Sequence, residues 1–130
     1  MIEQTELIIT KWQYQPPLND IEDLKKLTSY ITLDVMRKRT ATKKGIACRF
    51  TCEYVFEQQT VLEYVAEHSY VIDLADEVHR EELQTMIKNT YSKFKEKFDF
   101  KKLGTVLQNT SLISFNEKTY DLEPVLLLII

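Results

Sequence analysis

The sequence predicts an α+β fold, an antiparallel β-meander sheet of about four strands with one long amphipathic helix packed on one face. Three observations predict it. Segments 46–56 and 60–74 alternate apolar and polar residues with a period of two, which is typical of half-buried strands. Only a short polar stretch separates them, which favours a hairpin. Segment 76–98 then changes to a helical period with one apolar stripe.

Length and composition agree with this class. The chain has 130 residues, of which 44% are apolar and 28% are charged, as in an ordinary soluble domain. We therefore expect a single α+β domain over 1–130. Only 2 glycines are present, so the sequence contains neither a G-x-G-x-x-G fingerprint nor a Walker loop. This excludes binding sites that cradle phosphates on glycine-rich loops.

The first strand is predicted over 6–14, a segment rich in aromatic and aliphatic residues that stops at a pair of prolines. Segment 20–27 is compatible with a short helical turn or with a loop, because Asn19 and Asp20 are good helix caps but the apolar spacing changes further along. A second strand is predicted over 29–40, where the period returns to two.

Residues 37–45 carry five basic side chains and no acidic one, and they end in Gly45. We interpret them as a solvated hairpin tip in which Gly45 supplies a positive φ. The segment has no interleaved aromatic residues, and the rest of the chain is acidic. Nucleic acid is therefore not expected as a partner.

The third and fourth strands are predicted over 46–56 and 60–74, with a polar turn at 57–59. Cys48 and Cys52 lie on one face of the third strand, about 13 Å apart at the usual rise. A disulfide needs Cα atoms within about 7 Å, so we expect two buried, reduced thiols. The apolar face of this strand is formed by Ile46, Cys48, Phe50, Cys52, Tyr54 and Phe56.

A helix is predicted over 76–98, with acidic residues at its start and lysines at its end, a distribution that complements the helix macrodipole. Gly104 marks a break, and 105–115 is compatible with a short helix or an extended segment. The residues at 125–130 are all apolar, and we expect them to pack on the protein's own core or, alternatively, against another subunit or a ligand. The helix stripe is Leu83, Met86, Ile87, Thr90, Tyr91, Phe94 and Phe98.

The sequence contains no H-x-x-H, H-E-x-x-H or C-x-x-C motif, so it does not support a dedicated zinc or iron site, and it contains no G-x-S-x-G nucleophile elbow. His68 is expected to be a buried, neutral, hydrogen-bonded side chain, and His79 a solvated one. The longest apolar run has six residues, which predicts no membrane span. The N-terminus does not look like a secretory signal, so a cytoplasmic protein is expected.

Four stretches share the pattern and spacing of a known family. They are LIITKWQY at 7–14 ahead of a proline, YITLDV at 30–35, the strand pair CRFTCEY at 48–54 and LEYVAEHSY at 62–70, and the long helix after Leu74. Together they resemble the SecB-like export chaperones over roughly residues 5–98.

This resemblance implies a protein that forms a homodimer or homotetramer and binds unfolded or extended polypeptide segments through apolar grooves. It implies no cofactor and no catalysis. The peptide-binding side chains that it implies are Trp12, Tyr14, Tyr30 and Leu33.

The residues themselves leave a second hypothesis open, a small-ligand-binding protein or an enzyme with a polar pocket near His68. The side chains expected to line that pocket are Asp34, Tyr64, His68 and Tyr70. The absence of a catalytic motif favours the chaperone or adaptor hypothesis over this one.

Overall fold

The computed structural model of the protein describes residues 2–4, 6–15, 26–75, 77–103, 105, 107 and 115. Within them, five strands form one antiparallel sheet and a single helix packs on one of its faces. The predicted α+β class is confirmed. The elements are β1 (Ile2–Gln4), β2 (Ile8–Tyr14), β3 (Thr28–Arg39), β4 (Lys43–Phe56), β5 (Gln59–Asp73) and α1 (Arg80–Lys101).

The strands β3, β4 and β5 follow one another as hairpins, so the predicted meander is confirmed. Across the sheet the order is β1, β5, β4, β3, and β2 also pairs with β5. Both short strands pair with the same edge of β5: β1 pairs with Tyr70–Ile72, and β2 pairs with Leu62–Glu67 further along the strand. The predicted first strand corresponds to β2, and β1 precedes it.

An irregularity in β2 decides which of its side chains face the helix. The pairing with β5 shifts between Ile9 and Lys11, so Thr10 is an extra residue in the ladder. In an uninterrupted strand, Ile9 and Trp12 would point to opposite faces. The bulge resets the alternation, and both side chains pack against the core.

The helix-side face of the sheet is apolar because the register aligns buried positions in rows. Phe50 of β4 lies opposite Leu33 of β3 and Ala66 of β5, and all three are buried. The predicted apolar face of the third strand is confirmed, with Phe56 only partly buried at its end. Its fully buried members are Ile46, Cys48, Phe50, Cys52 and Tyr54.

The helix packs on this face through aromatic rings. Tyr64 of β5 stacks on Phe94 of α1 with ring centroids 4.1 Å apart and an interplanar angle of 10°. Phe50 lies 5.5 Å from the same Phe94 ring. The predicted helix stripe is confirmed, since all of its members are buried except Tyr91, which is half-buried.

The helix begins at Arg80, four residues later than predicted, and ends at Lys101. His79 has an extended backbone (φ −89°, ψ 160°), which stops the helix from starting earlier. Its backbone N–H donates to the Glu82 carboxylate at 3.3 Å, an interaction typical of a capping box. His79 is exposed, in agreement with the sequence.

The β4–β5 hairpin turns at Glu57 and Gln58, close to the predicted polar turn. Both residues have left-handed backbones, with φ of 49° and 66°. The flanking residues Phe56 and Gln59 pair with each other, so the loop has two residues. This geometry is that of a type I′ turn, whose twist matches that of the strands.

The expected role of Gly45 at the basic hairpin tip is wrong. The turn lies at 40–42, where the Thr40 N–H donates to the Lys43 carbonyl at 2.8 Å. Gly45 is inside β4, paired with Lys38 on one side and Val71 on the other. Arg37 and Arg39 at the end of β3 and Lys43 at the start of β4 are exposed, so strand structure at this end of the sheet leaves their charges in water.

The basic segment is also less isolated than expected, because Lys43 forms an ion pair with Asp73 across the β4–β5 ladder. This hydrogen bond and the lysine charge lower the pKa of the Asp73 carboxyl. The predictions for 20–25, Gly104, most of 105–115 and 125–130 lie outside the described residues.

Candidate functional site

The four side chains that the family resemblance assigns to peptide binding do not form one surface. Trp12, Tyr14 and Leu33 pack on the helix side of the sheet, whereas Tyr30 alternates to the other face and is 54% exposed. The strands that carry them, β2 and β3, are separated by β5 and β4.

Trp12 contributes mainly to the core. Its ring lies 5.4 Å from Tyr64 and 6.2 Å from Phe98, both buried. These are ordinary separations for aromatic pairs in protein interiors. Only part of the indole remains accessible, at the edge of the sheet where β2 lies.

The four residues of the alternative pocket are separated too. Asp34 is exposed and lies on the face opposite to the helix, next to Leu33, which points inward. Tyr64 donates its hydroxyl proton to the Phe94 carbonyl at 2.9 Å, away from the other members. Only His68 and Tyr70 meet, with the Tyr70 hydroxyl 3.2 Å from His68 Nδ1.

His68 and Tyr70 belong to a buried hydrogen-bond network under α1. The hydroxyls of Tyr70 and Thr90 donate to the Met86 carbonyl at 2.9 and 2.8 Å. The two hydroxyl oxygens also lie 2.9 Å from each other, and Nδ1 of His68 lies 3.2 Å from the Tyr70 oxygen and 3.4 Å from the Thr90 oxygen. The network accounts for the polar groups buried here, as the sequence analysis expected of His68.

The buried acidic groups near this network are held in their protonated forms. Burial raises the pKa of Tyr70 to about 12 and that of Tyr64 further still. Burial likewise raises the pKa of the free Cys48 and Cys52 thiols to about 12. A thiol nucleophile needs a lowered pKa, so these cysteines have the opposite of catalytic character.

The main cavity among the described residues has a volume of about 630 Å³ and lies between the start of β2 and the C-terminal half of α1. We call it the lysine groove. Its size is within the range of binding sites for small molecules or short peptide segments. The lining residues are Glu6, Leu7, Ile9, His68, Lys93, Glu96, Lys97, Phe100 and Lys101.

The lysine groove combines an apolar wall with a charged one. Leu7 is buried and Ile9 partly buried along the strand side, while Phe100 on the helix is 76% exposed. An exposed phenylalanine next to a cavity is typical of a surface that binds a partner. Lys93, Lys97 and Lys101 form the charged side.

The sequence carries only part of the signal for this groove. The lysines at 93, 97 and 101 recur every four residues and therefore lie on one side of the helix. From the sequence alone, these lysines indicate no more than a complement to the helix macrodipole. That the side faces β2 depends on the packing of α1 on the sheet.

The face of the sheet opposite to the helix is polar and half-exposed. Lys11 of β2 pairs with Glu63 of β5 at 3.0 Å, and Arg49 of β4 lies 4.0 Å from Glu67 of β5. Apolar side chains also lie on this face: the valines at 65 and 71 of β5 are partly buried there, and Tyr30 and the 63% exposed Ile8 are its most exposed large apolar groups.

Within the described ranges, no group of three or more His, Cys, Asp and Glu side chains is placed to hold a metal ion. In the same part of the chain, no helix is long and apolar enough to cross a membrane.

Comparisons with known proteins identify the fold. No protein-family model matches the sequence, and no curated protein matches it. Among solved structures, the chain is similar to the SecB-like chaperone Rv1957 of Mycobacterium tuberculosis in complex with a ChAD peptide from the Rv1956 HigA1 antitoxin, with a TM-score of 0.53 and 12% identity over 88% of this chain and 90% of that one. A Streptococcus agalactiae protein of unknown function aligns at a TM-score of 0.48 and 11% identity over 89% of this chain and 97% of that one. The first similarity shows that this chain shares the fold of a SecB-like chaperone.

Proposed function

We propose that the protein is a non-catalytic chaperone or adaptor that binds extended polypeptide segments. The observation that carries the proposal is the lysine groove, which presents an exposed phenylalanine and an apolar strand wall on a fold shared with a peptide-bound SecB-like chaperone. Apolar grooves of this kind bind chain segments through buried side chains at regular spacing.

The chemistry of the buried groups supports binding over catalysis. The Cys48 and Cys52 thiols and the Tyr70 hydroxyl keep their protons well above neutral pH, so none of them is an activated nucleophile or base. His68 is occupied by hydrogen bonds to Tyr70 and Thr90. The enzyme alternative near His68 therefore has no activated group to carry it among these residues.

The likeness to SecB-like proteins extends the proposal to assembly and location. We infer a homodimer or homotetramer that acts in the cytoplasm on chains that have not yet folded. Exposed apolar side chains on the face of the sheet opposite to the helix and just after the helix support assembly, since oligomers cover such groups with closed symmetry. They are Ile8, Tyr30 and Leu103.

A permanently unfolded, fluorescently labelled reporter protein tests the proposal by anisotropy. We expect the wild type to bind it, and Phe100→Ser to weaken that binding several-fold, because truncation removes an apolar contact without disturbing the core.

Ile8→Ser is the matched control, since Ile8 is also an exposed apolar residue but lies on the opposite face of the sheet. It should leave the affinity unchanged. A wild-type protein that ignores the reporter at tens of micromolar would refute the proposal, and equal losses in both variants would move the site away from the lysine groove.

A further inference from the structure

We propose that the lysine groove selects acidic polypeptide segments, whose carboxylates pair with Lys97 and Lys101 while apolar neighbours cover Phe100. This inference rests on the proposed function and adds the chemical class of the client. Three features of the groove support it: the row of lysines, the absence of an ion pair at Lys97 and Lys101 among the described residues, and the apolar wall on the strand side.

The row of lysines is unfavourable for the helix by itself. Lys93, Lys97 and Lys101 are spaced by four residues, so each stands one turn from the next. Like charges at this spacing repel and destabilise a helix. The macrodipole offsets this repulsion only in the last turn, which contains Lys101 alone. The macrodipole therefore leaves the repulsion at Lys97 without compensation.

The groove does not neutralise these charges. Lys93 lies 3.6 Å from Glu96, but both side chains are more than half exposed, so their attraction is weak. Lys97 and Lys101 form no ion pair with any residue that the structure describes. The lining contains three lysines and two glutamates, Glu96 on the helix and Glu6 before β2, which leaves an excess of one positive charge.

This positive charge is local. The whole chain has a net charge of −3, so long-range attraction would favour basic partners. A preference for acidic segments must therefore come from the groove. The acidic chain also disfavours nucleic acid as the anionic occupant, because a nucleic-acid-binding domain is usually basic overall.

The wall opposite the lysines adds a requirement for apolar groups. Leu7 and Ile9 form the strand side, and Phe100 stands beside the lysines on the helix. A carboxylate alone would leave these side chains uncovered. An extended segment with one or two acidic residues among apolar ones can pair its carboxylates with the lysines and pack its apolar side chains on the apolar wall. Both contacts can form together because successive side chains of an extended chain alternate in direction.

The test uses the full-length protein and three labelled extended peptides with the same apolar residues. Two positions are acidic in the first peptide, neutral in the second and basic in the third. At low salt we expect the acidic peptide to bind about 3- to 10-fold more tightly than the basic one, as two exposed ion pairs allow. The preference should shrink in 0.5 M salt because of screening.

Charge reversal localises the preference. Lys97→Glu/Lys101→Glu should invert the order of the acidic and basic peptides. Lys88→Glu/Lys95→Glu makes the same change in net charge at exposed helix positions outside the groove, and it should keep the wild-type order. Circular dichroism checks that both variants are folded.

The outcomes separate this inference from the proposed function. Equal binding of all three peptides would overturn the acidic preference and leave polypeptide binding intact. Binding of neither the peptides nor the unfolded reporter would refute both. An acidic preference that survives Lys97→Glu/Lys101→Glu, or salt-sensitive binding of an oligonucleotide of similar length, would overturn the assignment to this groove.

Discussion

Phe50 lies where the sheet meets the helix. Its side chain is fully buried, and its ring centroid is 5.5 Å from Phe94, 5.7 Å from Tyr91 and 5.1 Å from Phe115. Removing it would leave a cavity lined by rigid rings that cannot collapse into the space. The sequence placed Phe50 correctly because alternation with polar neighbours is a local signal.

We therefore expect Phe50→Ala to lower the free energy of unfolding by about 3–5 kcal/mol, measured by urea denaturation. Tyr30→Ala is the control, because Tyr30 is half-exposed on the other face and should cost far less. A loss below about 1 kcal/mol for Phe50→Ala would contradict the position of Phe50 in the core.

The two buried thiols make the free energy of unfolding depend on pH in the alkaline range. Burial raises the pKa of Cys48 and Cys52 to about 12, whereas a thiol in an unfolded chain has a pKa near 8.5. Between these values the unfolded chain has released the proton and the folded chain has kept it. The free energy of unfolding should therefore fall as pH rises through this window, by about 1.4 kcal/mol per pH unit for each thiol.

Urea denaturation between pH 8 and pH 11 measures this slope, and Cys48→Ala/Cys52→Ala should make it shallower. Both cysteines should also react slowly with a thiol reagent until the protein unfolds. Rapid labelling of the native protein, or equal slopes in the two proteins, would show that the thiols are accessible to water.

Among the elements of the meander, the β4–β5 turn holds two residues in a backbone conformation that is unfavourable for their residue types. Glu57 and Gln58 both occupy the left-handed region, which costs non-glycine residues about 1–2 kcal/mol each and which Asn-Gly adopts readily. We expect Glu57→Asn/Gln58→Gly to raise the free energy of unfolding by about 1 kcal/mol in a thermal or urea titration.

Gln59→Gly tests whether this gain belongs to the turn. Gln59 is the first residue of β5, where glycine only adds flexibility, so this change should destabilise the protein. A loss of stability in Glu57→Asn/Gln58→Gly would mean that the hairpin does not turn at these two residues.

Among the described strands, β3 pairs only with β4, and the exposed apolar side chains of Ile8 and Tyr30 lie on the face of the sheet opposite to the helix. Outer strands invite pairing with other chains, and association with closed symmetry uses that tendency. We expect light scattering to give two or four times the chain mass of 15.4 kDa.

The expected assembly should persist at low micromolar concentration, and deletion of residues 125–130 should either dissociate or unfold the protein. A monomeric mass across a concentration series would contradict the inferred homo-oligomer, and it would leave a monomeric peptide-binding protein as the form to test.

Local residue patterns predicted most of the elements and the faces that they bury. Periods of two and 3.6 are local properties, so they predicted β4, β5 and the stripe of α1 from neighbouring residues alone. The same alternation already separates Asp34 from the buried Leu33, and this signal was available against the pocket hypothesis. The resemblance to SecB-like proteins predicted the fold, and the structural similarity to a solved SecB-like chaperone confirms it.

Where these faces meet depends on the tertiary packing. The lysine groove joins the start of β2 to His68 and to the last turns of α1, segments that are far apart along the chain. A local pattern carries no information about such distances, because the strand order and the packing of the helix set them. The bulge at Thr10 has the same origin, since it appears only when β2 is paired with β5.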